Sequence, residues 1–348
     1  MLEKNTTTIE VKNAIKSSKN GTAPGIDGIS YKFFKFWLKK YEEYKDKEND
    51  STVKKVKDIT EILVRVYNEI ENEELYNDNF VLGTMNLLYK KKNKQRIKNY
   101  RPITLTNTDY KIYMKMIAEK LGKIAHKIIH PNQAGFIPGR NIHDHTRLTR
   151  SMIHYCETHQ KNGYVLSLDQ EKAYDKIVHD YLWKSLEKYG FPQKFIQKIQ
   201  KLYKKAKTIV SINKTLLQAI KIDRGVRQDC PMSCLLYDIA IEPLAETIQK
   251  TNLREFRIQG IEERILVLMF ADDTMIYMNE NDNTKPLEDS IKRFCEVSTA
   301  KFNEEKSEIL PMGTKKYRDD VVKTRVTNQA NGRLIDPKIK IVGDRESM

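Results

Sequence analysis

Asp272 and Asp273 stand side by side between two strongly apolar runs, residues 265–270 and 274–278, and this acidic pair constrains the chain more than any other feature. Adjacent carboxylates repel. A core does not tolerate them, and a surface hairpin gains little from them unless a cation lies between. The flanking runs read as strands around a very tight turn. A further strand, residues 163–169, also ends in an acid. Strand side chains alternate, so Val165, Ser167 and Asp169 share one face while Leu166 and Leu168 anchor the other. If that strand lies beside the hairpin, three carboxylates meet.

Such oxygen donors suit magnesium, which prefers carboxylate and phosphate ligands in an octahedral shell. Two ions about 3.5–4 Å apart can activate an attacking hydroxyl and stabilise a leaving pyrophosphate. The plainer reading treats Asp272 and Asp273 as turn formers, because aspartate is common in hairpin turns. Spacing alone leaves both readings open.

The 348 residues leave room for two or three compact regions, and a hydrophobic share of 39% allows a sizeable core. A net charge of +15 favours a polyanionic partner, because lysine and arginine gain free energy by releasing counterions from phosphates. The same richness in Lys, Asn, Ile and Tyr also fits an A/T-biased genome. Cys156, Cys230, Cys234 and Cys295 form no paired zinc pattern, and no signal peptide precedes them. A reducing, intracellular setting, nucleus or cytoplasm and not secreted, is the expectation. The longest apolar run, residues 265–270, is too short to span a bilayer. His143 and His145 flank Asp144 and read as polar loop groups rather than metal ligands.

Residues 1–22 read as a polar lead-in, frayed or the remains of a short helix, and residues 20–28 as a loop dense in Gly and Pro. Helical spacing predicts helices over 31–45, 60–71, 109–126, 144–159, 181–189, 231–249 and 287–300, with Pro231 in a first turn. Residues 42–57 form a solvated charge run. Strands are expected at 83–89, 100–105, 163–169, 265–270, 274–278 and 307–310, with 208–213 and 217–222 forming a hairpin. The basic run 90–96 reads as a turn, and the tail beyond Gly313 as charged and poorly patterned.

The order of motifs narrows the choice. Residues 169–175, 224–233 and 270–273 resemble three successive motifs of reverse transcriptases. Ala23, Pro24, Gly25, Ile26, Asp27 and Gly28 are similar to the first fingers motif of non-LTR elements, and Tyr100, Arg101, Pro102, Ile103, Thr104 and Leu105 to the second. Residues 133–140, from Gln133 to Arg140, resemble the family's insertion between fingers and palm. Residues 300–307 are similar to its lysine-bearing motif. Seven motifs run in order from about residue 20 to 312. Arg224, Gly225, Val226, Arg227 and Gln228, followed by Cys230 and Pro231, resemble LINE-type elements, and residues 301–306 particularly resemble fungal LINE-like elements.

The resemblance implies an α+β right-hand polymerase: fingers over 23–160, a palm over 161–312 with an antiparallel sheet backed by helices, and a charged tail over 313–348 starting the palm–thumb connection, the thumb itself largely absent. It implies RNA-directed DNA synthesis from an RNA template and a DNA primer with deoxynucleoside triphosphates. It implies two Mg2+ ions, with Mn2+ as a substitute, held by Asp169, Asp272 and Asp273, and Lys306 as proton donor to pyrophosphate. Tyr174 falls where a bulky ring lies beneath the incoming sugar and excludes a 2′-hydroxyl. Arg101 with Lys90 or Lys91 matches the cations that grip the triphosphate. Gly225, Arg227 and Gln228 match the template and primer contact. Asp229 stands where the family usually has glycine, and a carboxylate there is expected to repel phosphates. Cys234 replaces a usual proline, and Thr299 and Ala300 a usual Ser-Gly. No membrane partner is expected, and oligomeric state is left open. A truncated element copy that only binds nucleic acid is the rival reading. An RNA-dependent RNA polymerase would need a small residue in place of Tyr174.

Overall fold

Short apolar strands alternate with amphipathic helices along the chain, and the computed structural model describes residues 2–47, 54–73, 76–213, 215–256, 264–328 and 333–343. In chain order the elements are α1 (Thr8–Lys16), α2 (Tyr31–Lys45), α3 (Ile59–Glu73), β1 (Leu82–Tyr89), β2 (Tyr100–Thr106), α4 (Thr108–Ile128) and α5 (Ile142–Thr158). Then come β3 (Gly163–Leu168), α6 (Ala173–Lys176), α7 (His179–Lys188), α8 (Gln193–Lys204), β4 (Lys207–Ile212), β5 (Thr215–Lys221) and α9 (Ser233–Gln249). The last third holds β6 (Val267–Phe270), β7 (Asp273–Asn279), α10 (Lys285–Ser298), β8 (Glu308–Met312), α11 (Lys315–Thr324), β9 (Val326–Asn328), β10 (Arg333–Leu334) and β11 (Lys340–Ile341). No described helix is long and apolar enough to cross a membrane. All four cysteines are free.

The chain divides into two compact units, residues 1–121 with 186–233, and residues 122–185 with 234–348. This is not the linear division expected from the motifs. Residues 186–233 join the first unit because β4 pairs in parallel with β1, setting Met85 opposite Val210. That unit carries a four-stranded sheet in the order β2-β1-β4-β5. Its β1–β2 hairpin pairs Leu88 with Arg101 and Tyr89 with Tyr100.

The start of the chain is not a frayed lead-in. Thr7 and Glu10 form a capping box on α1, which satisfies two of its orphan amides, and Val11, Ala14 and Ile15 are buried. Thr6 N–H donates to Asn68 Oδ1 at 3.0 Å. Helix α8 was not anticipated, although Phe195, Ile196, Ile199, Leu202 and Tyr203 are buried at helical spacing. In the charge run 42–57, residues 48–53 lie outside those described.

The second unit is built on a five-stranded sheet in the order β11-β8-β3-β7-β6. Strand β3 is central and antiparallel to both neighbours, and only the β11–β8 pair is parallel. Val165, Leu268, Tyr277, Leu310 and Met312 bury one face against Met152 and Cys156 of α5. The Tyr277 and Thr149 hydroxyls lie 2.6 Å apart inside that core. His143 and His145 stand in the first turn of α5, not in a loop. Pro231 precedes α9 rather than opening it, while Pro243 lies within the helix. The tail is also more ordered than its charge suggested: α11 buries Tyr317 and Val321, and β11 extends the sheet. Residues 329–332 and 344–348 of that tail lie outside those described.

Candidate active site

The acidic pair sits on a two-residue hairpin. Phe270 pairs directly with Asp273, so Ala271 and Asp272 alone make the turn between β6 and β7. Two-residue turns that match the strand twist need positive φ, and Ala271 supplies it at +53°. An alanine there is strained, because a Cβ disfavours the left-handed region.

The neighbouring strand brings the third carboxylate. Pairing of β3 with β7 runs to Leu168 opposite Thr274, and Asp169 follows in the register of Asp273. Asn303 N–H donates to the Asp169 carbonyl at 2.8 Å, which holds residues 300–307 alongside. Lys306 Nζ consequently reaches Asp169 Oδ2 at 3.1 Å. Asp272 is raised above the ordinary carboxylate range, first by burial and then by Asp169, with Lys306 pulling the other way. Asp273 is raised by burial, then by Asp272 and Asp169. The cluster is therefore a seat of poorly compensated negative charge. A cleft of about 690 Å3 opens beside Asp273, lined among others by Ser167, Met275, Thr149 and Arg150.

Tyr174 lies on α6 in the same unit. Its ring stacks on Tyr237 with centroids 4.7 Å apart, and the Tyr237 hydroxyl donates to Gln170 Oε1 at 2.8 Å. Burial pushes the Tyr174 phenol up, and Cys234, Asp238 and Asp272 add to the shift. Asp238 was not singled out from sequence. It is fully buried on α9 and neither oxygen has a hydrogen-bond partner. Burial and then Glu242 raise it well above the usual range. The signal that could have found it is its spacing with Glu242 and Glu246, three acids four residues apart on a helix rich in apolar residues.

Residues 132–135 form a second unforeseen support. Met269 N–H donates to the Asn132 carbonyl at 2.7 Å and Ala134 N–H to the Met269 carbonyl at 2.9 Å, so the segment lies along β6. The Gln133 side chain reaches Ala271 itself. The motif was visible in the sequence, but its contact with the acidic turn was not.

The remaining expected site residues belong to the other unit. Lys90, Lys91 and Arg101 are exposed around the β1–β2 hairpin, where Lys90 N–H donates to the Asn99 carbonyl at 2.9 Å. Gly225 is buried with φ +79°, and Gln228 is half-buried. Arg227, expected at the template or primer, is buried within its unit. It is 3% exposed, its guanidinium lies 4.9 Å from the Tyr110 ring centroid, and its three side-chain nitrogens have no hydrogen-bond partner. A guanidinium disperses its charge over a planar surface, which lets an aromatic face hold it. Asp229 pairs with Lys111 at 2.8 Å instead of standing as a free negative charge.

A largely antiparallel sheet with an acidic hairpin beside a third aspartate, and helices packed on it, is consistent with the palm of a right-hand polymerase. The particular family follows from comparison. The sequence profile of the reverse transcriptase (RNA-dependent DNA polymerase) family matches residues 89–326, and the chain belongs to that family. Its relatives are proteins of non-LTR retrotransposons. The uncharacterized 149 kDa protein of transposon TX1 from Xenopus laevis is 30% identical over 319 residues, which cover 90% of this chain and 23% of that protein. The Pol polyprotein of the type-1 retrotransposable element R2 from Nasonia vitripennis is 26% identical over 178 residues, 51% of this chain and 17% of its own length. The chain thus spans less than a quarter of these relatives. Apo telomerase from Candida tropicalis shares the fold at TM-score 0.50 and 14% identity, over 70% of this chain and 45% of that one.

Proposed function

We propose that this chain carries the RNA-directed DNA polymerase activity of a LINE-like element, extending a primer 3′-hydroxyl with deoxynucleotides. The observation that supports it most is the register that sets Asp169 beside the two-residue turn bearing Asp272 and Asp273. Reverse transcriptases generally use divalent metal ions. Among the described residues no three acidic, histidine or cysteine side chains come close enough to hold an ion by themselves. Magnesium seldom requires that, since one or two carboxylates with substrate phosphates complete its shell. An all-oxygen, crowded and undercompensated donor set fits such an ion. Asp169, Asp272 and Asp273 would hold it, with Mn2+ as a substitute. When bound, the two ions supply the charge that activates the attacking hydroxyl and offsets the leaving pyrophosphate.

The chain's own groups do the rest by positioning and electrostatics, as phosphoryl transfer requires. Lys306 holds Asp169 in place and carries a proton within reach of the same centre. The Tyr174 ring, braced by Tyr237, forms the floor that a ribose 2′-hydroxyl would strike. Lys90, Lys91 and Arg101, exposed on the other unit, keep the triphosphate role that the resemblance implies, and Gly225 and Gln228 the template role. RNA template, DNA primer and deoxynucleoside triphosphates are the partners. Primer extension with Mg2+ tests this reading. The chain should extend with deoxynucleotides and reject ribonucleotides, and Tyr174→Ala should raise ribonucleotide use by about 10-fold or more, the cost of losing one steric contact. A chain that binds template but extends nothing would instead be the inert binding protein.

A further inference from the structure

We propose that Gln133 is a positioning residue that sets the conformation of the acidic turn, a role that rests, for its effect on catalysis, on the polymerase reading above. Its side chain is 1% exposed. Its Oε1 accepts from Ala271 N–H at 2.9 Å and from Gly135 N–H at 2.8 Å. Its Nε2 lies 3.4 Å from the Ala271 carbonyl. One carboxamide thus meets both backbone polar groups of a single residue, and that residue is the strained one immediately before Asp272.

The chemistry explains the residue type. An amide oxygen has two lone pairs, so it can take both N–H groups, and the NH2 supplies the donor that a carbonyl needs. It does this without adding a charge beside carboxylates already raised by burial and then by one another. The surrounding segment is built to hold the amide still. Arg140 donates from Nη1 to the carbonyls of His130 at 2.6 Å and Gln133 at 2.7 Å, and from Nη2 to that of Ile129 at 2.8 Å. Gly135 cannot carry a side chain here, because a Cβ would lie 2.3 Å from the Ala271 nitrogen. Phe136 and Phe270 add a ring contact at 6.4 Å between centroids. A turn that relies on an alanine at positive φ, rather than glycine, is over-determined by these contacts. That matters because metal-ligating oxygens tolerate little displacement: about 1 Å of misplacement can cost about 10²-fold in rate.

The test uses Gln133→Met, which keeps the volume and removes both acceptor and donor, and Gln133→Glu, which keeps the acceptor. Hydrogen exchange at the Ala271 and Gly135 amides is measured in the full chain, alongside steady-state deoxynucleotide incorporation and melting temperature. In the wild type both amides are protected, and in Q133M Ala271 exchanges at least about 10-fold faster. In Q133M kcat falls about 10²-fold, while the nucleotide KM and primer–template Kd stay within about threefold. In Q133E, which keeps the acceptor oxygen, the Ala271 and Gly135 amides stay protected. Wild-type protection of Ala271 in Q133M, or a wild-type kcat in that variant, overturns the proposal. If Q133M melts below the assay temperature, the same exchange and kcat measurements are made on both proteins below its melting temperature. A wild-type chain that incorporates nothing overturns the polymerase reading instead, and exchange alone still decides whether Gln133 holds the turn.

Discussion

Lys111 is 3% exposed, yet its ammonium is well held: it donates to the Ala23 carbonyl at 3.0 Å and pairs with Asp229 Oδ2 at 2.8 Å. Asp229 replaces the glycine of related motifs at φ +66°, so one residue both accepts backbone strain and neutralises a buried cation. The repulsion of phosphates expected from its charge is thereby offset. Stranding a fully buried charge costs about 3–5 kcal/mol, and because the Asp229 side chain is 34% exposed, water leaves about 2 kcal/mol for Asp229→Ala. Asp229→Gly should cost about 1 kcal/mol less, because glycine carries no left-handed penalty. Urea denaturation measures both, and equal losses would contradict the strain argument. Glu242 offers a pH test. Burial raises its carboxyl from 4.5 to about 7, against a hydrogen bond from His130 N–H at 2.9 Å. Since the folded value lies above the unfolded one, this contribution is fully present below about pH 4.5 and is lost as pH rises through about 7. Glu242→Gln should remove about 3 kcal/mol of that decline, read from stability curves between pH 4.5 and 8. An unchanged slope would assign the decline to other groups.

Elements whose two faces differ sharply in polarity were legible in the sequence, and those held by remote partners were not. Strands β3, β6 and β7 emerge from alternation and apolar runs because their residues face a core on one side and a carboxylate cluster at one end. The hairpin β4–β5 was foreseen, but its parallel pairing to β1 was not, since register between strands some 120 residues apart leaves no local mark. Helix α8 could have been found from its apolar spacing. What seats it is a charge pair that spacing does not reveal: Lys198 Nζ lies 2.8 Å from Glu71 Oε2, with both side chains under 10% exposed. Tyr113 Oη also donates to Glu71 at 3.1 Å, so α3, α4 and α8 meet at one carboxylate. Burial lowers the Lys198 ammonium while Glu71 supports it. Glu71→Ala should therefore destabilise the chain by about 3–5 kcal/mol, far more than an exposed pair such as Lys285 with Asp289 would. A loss under about 1 kcal/mol on chemical denaturation would mean that the pair is hydrated. The burial of Arg227 was illegible for the same reason as the strand pairing: its aromatic partner Tyr110 comes from a distant helix.

At the scale of the whole chain, the expected carboxylates and Lys306 lie in one unit, while the cations Lys90, Lys91 and Arg101 occur in the other. The net charge of +15 supplies a general attraction to nucleic acid, but it cannot specify chemistry, because phosphate contacts position without informing. Function therefore rests on the acidic turn and its neighbouring strand. Primer extension and template binding, measured together on wild type, Asp169→Ala and Asp272→Ala, test this most directly. Incorporation should fall by at least about 10³-fold in either variant, as expected when a preorganised electrostatic group is lost, while the template–primer Kd changes less than about threefold. Sustained incorporation by either variant would contradict the assignment of these carboxylates to the reacting centre.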